Sequence, residues 1–290
     1  MKGKLLVLSG IGDIHWLALK MESFIEKNGF DHPLIYSWNI DNRPRSLDFI
    51  KRLPFITPGD YWNEIKFTSM RRVFNSLYID GGMDFVKDFH GFDYFLSVNG
   101  SLRQGWDIDH ILPDYETNWE YPLLQTEAEK VFGRDFRSGG RYILLSFSDN
   151  GMFDYWVRKW PAEKISKFIT ELSALLPSHR LILTGGTWDE RLNDKLDVPE
   201  SVENLTGKTN FDQLMGLIRH ADGFVGWPGG NTILSTHLRV KTMILWTDYF
   251  VPGMRTNWVA PGRSYIHDDI ANISPEMAAL RFAEFLEGAA

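Results

Sequence analysis

The chain has 290 residues, 43% of them hydrophobic, enough to bury the core of one large domain or two modest ones. A net charge of −7 argues against a constitutive, non-specific nucleic-acid binder, and the absence of cysteine excludes disulfides and thiolate metal sites. No stretch approaches the roughly 18 apolar residues of a membrane span, and the opening "MKGKLLVLSGIGD" breaks at glycine too early for a signal sequence, so a soluble, cytoplasmic protein is expected.

In chain order, Lys4 to Leu8 read as a first strand, followed by a glycine loop and a helix from about Ile14 to Lys27. Ile14, Leu17, Ala18, Met21, Phe24 and Ile25 give that helix an apolar stripe, and Asn28 and Gly29 stop it. "PLIYSW" is a short strand, "TSMRRVFNSLYI" a predicted helix and "FDYFLSVNG" another strand. Residues 100 to 138 read as irregular and then weakly helical, with "RSGG" at Arg137 to Gly140 as the linker. Beyond it come strand "YILLSFS", helix "PAEKISKFITELSALL", strand "RLILTGG", helix "WDERLNDKL", helix "FDQLMGLIRHA", strand "GFVGW", helix "NTILSTHL" and strand "KTMILW". "SPEMAALRFAEFLEGA" closes the chain as a helix, with Ser at the N-cap and Pro at the first helical position. Strands alternating with helices predict an α/β fold: two Rossmann-like domains, residues 1–138 and 139–290, with parallel sheets facing a central cleft and a final helix able to pack back on the first domain.

Four stretches can carry chemistry. In "DGFVGWPGGNTILSTHL" a buried strand runs through Pro228, Gly229 and Gly230 into a helix, so that the N–H groups of Gly230, Asn231 and Thr232 could hold a diphosphate. The same residues also make an ordinary strand-to-helix turn. Arg158 and Lys159 precede a helix start, where the dipole disfavours cations unless an anion sits between them. In "LTGGTWDERL", Asp189 and Glu190 follow two glycines and either cap a helix or accept ribose hydroxyls. Thr206, Gly207, Lys208 and Thr209 form a loop before a further helix. No GxGxxG or Walker pattern is present, which leaves an NAD-dependent oxidoreductase a distant reading, and the eight histidines show no paired metal spacing.

In this order the motifs are similar to the donor-binding domain of the ADP-heptose:lipopolysaccharide heptosyltransferases, glycosyltransferase family 9. "NLTGKTNFDQLMGLIRHADGFVG" is the most specific part, and "SGIGDIHWLALKM" resembles the glycine-glycine-aspartate loop that opens the same family. The resemblance spans roughly residues 1 to 27 and 140 to 246, and implies the two-domain GT-B fold. It implies an inverting, metal-independent transfer of a hexosyl or heptosyl group from a nucleotide-diphosphate sugar to a hydroxyl, with no cofactor beyond that co-substrate. Asp13 takes the place of the general base. Arg158 or Lys159 and the loop Gly229, Gly230, Asn231 and Thr232 take the diphosphate, with Thr206 and Lys208 nearby and Asp189 or Glu190 on the ribose. Gly12, His15, Asn99, Arg103 and Trp106 are the acceptor-side candidates. The family's loop carries an acidic residue and, a few positions on, a histidine; here those places hold Pro228 and Ile233. Proline cannot replace a carboxylate on the donor sugar, which leaves the sugar open between hexose and heptose, while recognition of the diphosphate rests on backbone groups.

Asp13 has a competing reading as the cap of the Ile14 helix, where bonds from backbone N–H groups would lower its pKa and weaken it as a base. With Trp16 at the third helical position on that reading, no capping box supports it. "DID" at Asp107 to Asp109 matches a metal-binding DxD, a triplet expected by chance in so acidic a chain. The implied acceptor is a glycan or lipid-linked sugar. DNA, through a hydroxymethylated nucleobase, is the lesser alternative and would need a basic, aromatic face over residues 43 to 75. The alternative to an enzyme is a non-catalytic nucleotide- or sugar-binding protein on the same fold.

Overall fold

The computed structural model describes residues 2–8, 10–38, 45–62, 85–87, 91–97, 105–110, 113–147, 160–246, 255 and 257–288. The chain divides into two compact units. Unit 1 comprises Met1–Gln125 together with Phe250–Pro261, and unit 2 comprises Thr126–Tyr249 with Gly262–Ala290.

In unit 1, β1 (Lys4–Leu8) leads into α1 (Ile11–Lys27), then β2 (Leu34–Trp38), α2 (Arg45–Ile50), β3 (Thr57–Trp62), β4 (Phe85–Lys87) and β5 (Tyr94–Leu96). The sheet order is β3-β2-β1-β5-β4. Four strands run parallel and only β4 is antiparallel, against β5. Leu5, Leu6 and Val7 are fully buried, as expected of a parallel strand covered on both faces. Strand order reverses beside β1, which has β2 on one side and β5 on the other.

In unit 2, α3 (Glu127–Ser138) precedes β6 (Tyr142–Ser146), α4 (Ala162–Leu175), β7 (Arg180–Leu183), a 3₁₀ turn (Thr187–Asp189), α5 (Glu190–Asn193) and β8 (Glu203–Asn204). Then follow α6 (Phe211–His220), β9 (Gly223–Gly226), α7 (Gly230–His237), β10 (Lys241–Trp246), β11 (Tyr265–Asp269) and α8 (Pro275–Glu287). The order β11-β10-β9-β6-β7-β8, all parallel, is the 3-2-1-4-5-6 arrangement of a Rossmann sheet, and β6 and β9 flank its switch point. Ile143, Leu144, Phe224, Val225, Met243 and Ile244 have no solvent exposure. Each such side chain contributes about 1.5–3 kcal/mol relative to an exposed one.

The structure corrects the expected organisation in three places. The units divide between Gln125 and Thr126, not at residue 138, because α3 lies against α6. Gly133 and Gly216 meet there so closely that a Cβ on Gly216 would stand 2.7 Å from the Glu129 carbonyl oxygen. "RSGG" is therefore the end of a helix, with Gly139 as its C-cap, and not a linker. Second, α8 belongs to unit 2, where it packs on α4 and lays Phe282 over Gly223. Third, the residues Phe250–Pro261 leave unit 2 for unit 1 between β10 and β11. The helix expected through "TSMRRVFNSLYI" lies outside the described residues. No helix among the described residues is long and apolar enough to cross a membrane.

Candidate functional site

Ligands of open α/β sheets lie beyond the carboxyl ends of the strands, at the point where strand order reverses. Each unit has one such point. In unit 1 it follows β1, and the turn there is held by Gly10, which has φ 128°, a value that favours glycine. Its N–H donates to the Ser46 hydroxyl at 2.8 Å, tying the turn to α2. Helix α1 begins at Ile11, earlier than the sequence suggests, with Gly10 as N-cap. Asp13 is thus the third helical residue and does not cap the helix; it is partly exposed in the first turn, where a carboxylate complements the dipole. Gly12 lies beside it in the same turn.

His15 points into the interior. It is 3% exposed, and its Nδ1 lies 2.6 Å from the Tyr121 hydroxyl, with the Tyr121 and Trp119 rings at 5.6 and 6.5 Å. Burial pushes the Tyr121 phenol well above its usual range, so it stays neutral. This is the environment of a packed core histidine, not of a surface acceptor contact. Trp106 is 51% exposed, and its backbone carbonyl accepts from the Asn257 amide at 2.6 Å. Asp107 and Asp109 are exposed and raise the pKa of Lys20, though burial dominates and holds it below the usual lysine range. The Lys20 ammonium donates to the Tyr115 carbonyl at 2.8 Å. Asn99, Arg103, Arg158 and Lys159 lie outside the described residues.

In unit 2 the switch point is built by β6, β9 and the start of α7. Ser146 at the end of β6 pairs with Gly226 at the end of β9, where a Cβ would stand 2.5 Å from the Ser146 carbonyl oxygen. The Asn231 amide donates to the Ser146 hydroxyl at 3.0 Å, joining the helix start to the neighbouring strand end. Thr232, fully buried, locks the turn: its hydroxyl donates to the Gly229 carbonyl at 2.8 Å and accepts from the Gly229 N–H at 3.0 Å. Gly230 and Asn231 open α7, and the N–H groups of a helix's first turn have no partner within the helix.

Beyond β7, Asp189 is 1% exposed, and its Oδ2 accepts from the Gly186 N–H at 2.8 Å. It is a buried backbone cap. Glu190 is exposed and folds against Gly207. Thr206 is buried, its hydroxyl 2.5 Å from the Asn193 amide, and the Lys208 ammonium donates to the Asn204 carbonyl at 2.7 Å on the surface. The structure therefore brings Gly229, Gly230, Asn231 and Thr232 together at one strand end, with Glu190 beyond the adjacent pair of glycines, and turns Asp189 and Thr206 inward. Sequence reasoning passed over Ser146, whose signal is a hydroxyl ending an otherwise apolar strand, and Trp188, an exposed aromatic two residues after the glycine pair.

No family model matches the chain, and no curated protein does. Solved structures do. The E. coli ADP-heptose lipopolysaccharide heptosyltransferase II superposes with a TM-score of 0.63 at 15% identity, over 100% of this chain and 99% of that one. A glycosyl transferase family 9 protein from Veillonella parvula gives 0.62 at 12% identity, with 100% and 99% covered. The chain has a heptosyltransferase-like fold. The E. coli heptosyltransferase WaaC, solved with ADP, matches at 0.51 and 12% identity over 99% of both chains. A heptosyltransferase-like fold comprises two Rossmann-like α/β domains, as the two sheets require.

Proposed function

We propose that the chain is an inverting, metal-independent glycosyltransferase that moves a sugar from a nucleoside-diphosphate donor to a hydroxyl of a glycan or lipid-linked acceptor. The observation that carries this reading is the switch point of unit 2, where Ser146 and Asn231 fix the start of α7 against the end of β6. The first-turn N–H groups of Gly230 and Asn231 suit a diphosphate, and they act more strongly as charge develops on the departing group. Glu190 follows the second strand of that sheet, the strand after which Rossmann domains carry an acidic residue for the ribose hydroxyls, and this supports a ribose role for it. Structures with this fold include one solved with ADP.

Asp13 completes the chemistry. It stands in the first turn beyond β1, at the switch point of the other sheet, and as a partly exposed carboxylate it takes the proton of the attacking hydroxyl while the diphosphate leaves. The test is thermal unfolding of the whole chain with nucleoside diphosphates and their sugar conjugates, in EDTA. A ligand at 100 times its Kd stabilises a fold by about 2.7 kcal/mol. A shift with one nucleotide and its conjugates supports the donor site; the absence of any shift in folded protein sinks it. Binding without transfer to any acceptor would leave a nucleotide-binding protein on the same fold.

A further inference from the structure

Three consecutive side chains in unit 2 lie where three glycines leave room. The Trp188 indole rests with its six-membered ring on the Gly186 α-carbon, the Asp189 carboxylate on Gly185, and the Glu190 carboxylate on Gly207. A Cβ at any of these glycines would collide with the side chain that covers it. Gly207 has φ +70°, so its backbone also favours glycine. The indole is thereby seated against the main chain, yet the residue keeps 40% of its surface exposed. An exposed indole braced on glycine backbone is not a core residue, and burying it in unit 2 would have served stability better.

Its location gives it a use. Trp188 follows β7, the strand next to β6 on the side away from β9. Neighbouring strands are about 4.8 Å apart, so the end of β7 lies roughly 10 Å along the sheet edge from the end of β9. A nucleotide whose diphosphate meets α7 and whose ribose meets Glu190 therefore extends its base toward this edge. We propose that Trp188 is the platform on which the nucleobase of the donor stacks. This rests on the donor-site reading above and adds the residue that recognises the base by its face and not by its hydrogen-bonding edge. Because glycine seating fixes the ring before binding, little side-chain freedom is lost when the base arrives.

The experiment measures Kd by calorimetry on the full chain for ADP and UDP, with wild type, Trp188→Phe and Trp188→Leu. Leucine keeps apolar bulk and removes the π-face; phenylalanine keeps a π-face. Loss of one base-stacking contact weakens binding by about 5- to 150-fold. The expected result is such a loss for Trp188→Leu with most of the affinity retained by Trp188→Phe. Equal affinity in all three proteins overturns the platform, as does an equal loss in both variants, which would report a damaged loop. If wild type binds neither nucleotide nor any other nucleoside diphosphate, the donor-site reading and the platform fall together. If wild type binds and the variants do not differ, only the platform falls.

Discussion

The backbone carbonyl of Asn257 accepts the indole N–H of Trp16 at 3.0 Å, so a residue far along the chain holds the helix that carries Asp13. The Asn257 side chain accepts the Ile108 N–H at 2.8 Å and donates to the Trp106 carbonyl at 2.6 Å, and the neighbouring Trp258 meets Trp16 edge-on at 5.3 Å. All of this is within unit 1, and Asn257 is 1% exposed. Asn257→Ala strands the buried Ile108 N–H, at about 1–3 kcal/mol, while the Trp106 carbonyl, on an exposed residue, can turn to water, so unit 1 should lose about 1–3 kcal/mol. Chemical denaturation followed by tryptophan emission reads the loss. A change below about 0.5 kcal/mol, the scale of an ordinary surface substitution, would show that the junction is idle.

Asp13→Asn should lower transfer about 10²- to 10⁴-fold while nucleoside-diphosphate affinity stays within error, because the proposed donor groups belong to unit 2. Removing a carboxylate from the first turn costs only about 0.3–1 kcal/mol of stability, so folded protein remains available for the assay. Turnover within a few-fold of wild type would remove Asp13 from the mechanism.

Gly207→Ala should destabilise unit 2 by about 1–2 kcal/mol through the left-handed backbone alone, and by more through its collision with Glu190. The double variant with Glu190→Ala separates the two effects, since it relieves the collision and not the backbone strain. Additive losses in the double-mutant cycle would mean that the carboxylate moves aside freely and is not seated on this glycine.

Asp222 gives a pH signature. Burial pushes its carboxyl up, but hydrogen bonds from Arg137 and from the Tyr142 N–H at 3.0 Å, with the charges of Arg137 and Arg141, more than offset this and hold it below the usual range. A depressed carboxylate pKa contributes stability that is present above the unfolded value of about 3.9 and is lost as pH falls through the folded one. Wild type should therefore lose stability below about pH 4 more steeply than Asp222→Asn, and the two curves should converge in acid. Parallel curves from pH 7 to 3 would contradict the assignment.

The sequence displayed the core of unit 2 because its strands are nearly continuous apolar runs, and "YILLS", "RLIL", "GFVG" and "KTMILW" all form strands. It hid β3, whose "TPGDYW" contains proline and glycine and reads as a turn, and β11, whose "YIHDD" is a polar edge strand. The glycines after α3 suggested a linker because a helix stop and a domain boundary share one composition. At the site, the glycine loop was legible, being local. The Ser146–Asn231 pair was not: it follows from strand register, Ser146 opposite Gly226, which no local pattern announces. Asp189 and Glu190 were indistinguishable as letters, and only the direction in which each folds separates a buried cap from an exposed carboxylate.

The chain passes between its units three times, at Gln125, at Tyr249 and at Pro261. A gene fragment ending at the first crossing would encode a unit 1 without Asn257 and Trp258, leaving the Trp16 indole N–H and the Ile108 N–H without those partners. A fragment starting there would carry an orphan insert between β10 and β11. Neither piece of sequence is a free-standing cassette, so a recombination event that exchanged unit 2 of this chain would have to move two segments together, or leave the second excursion behind with the first unit.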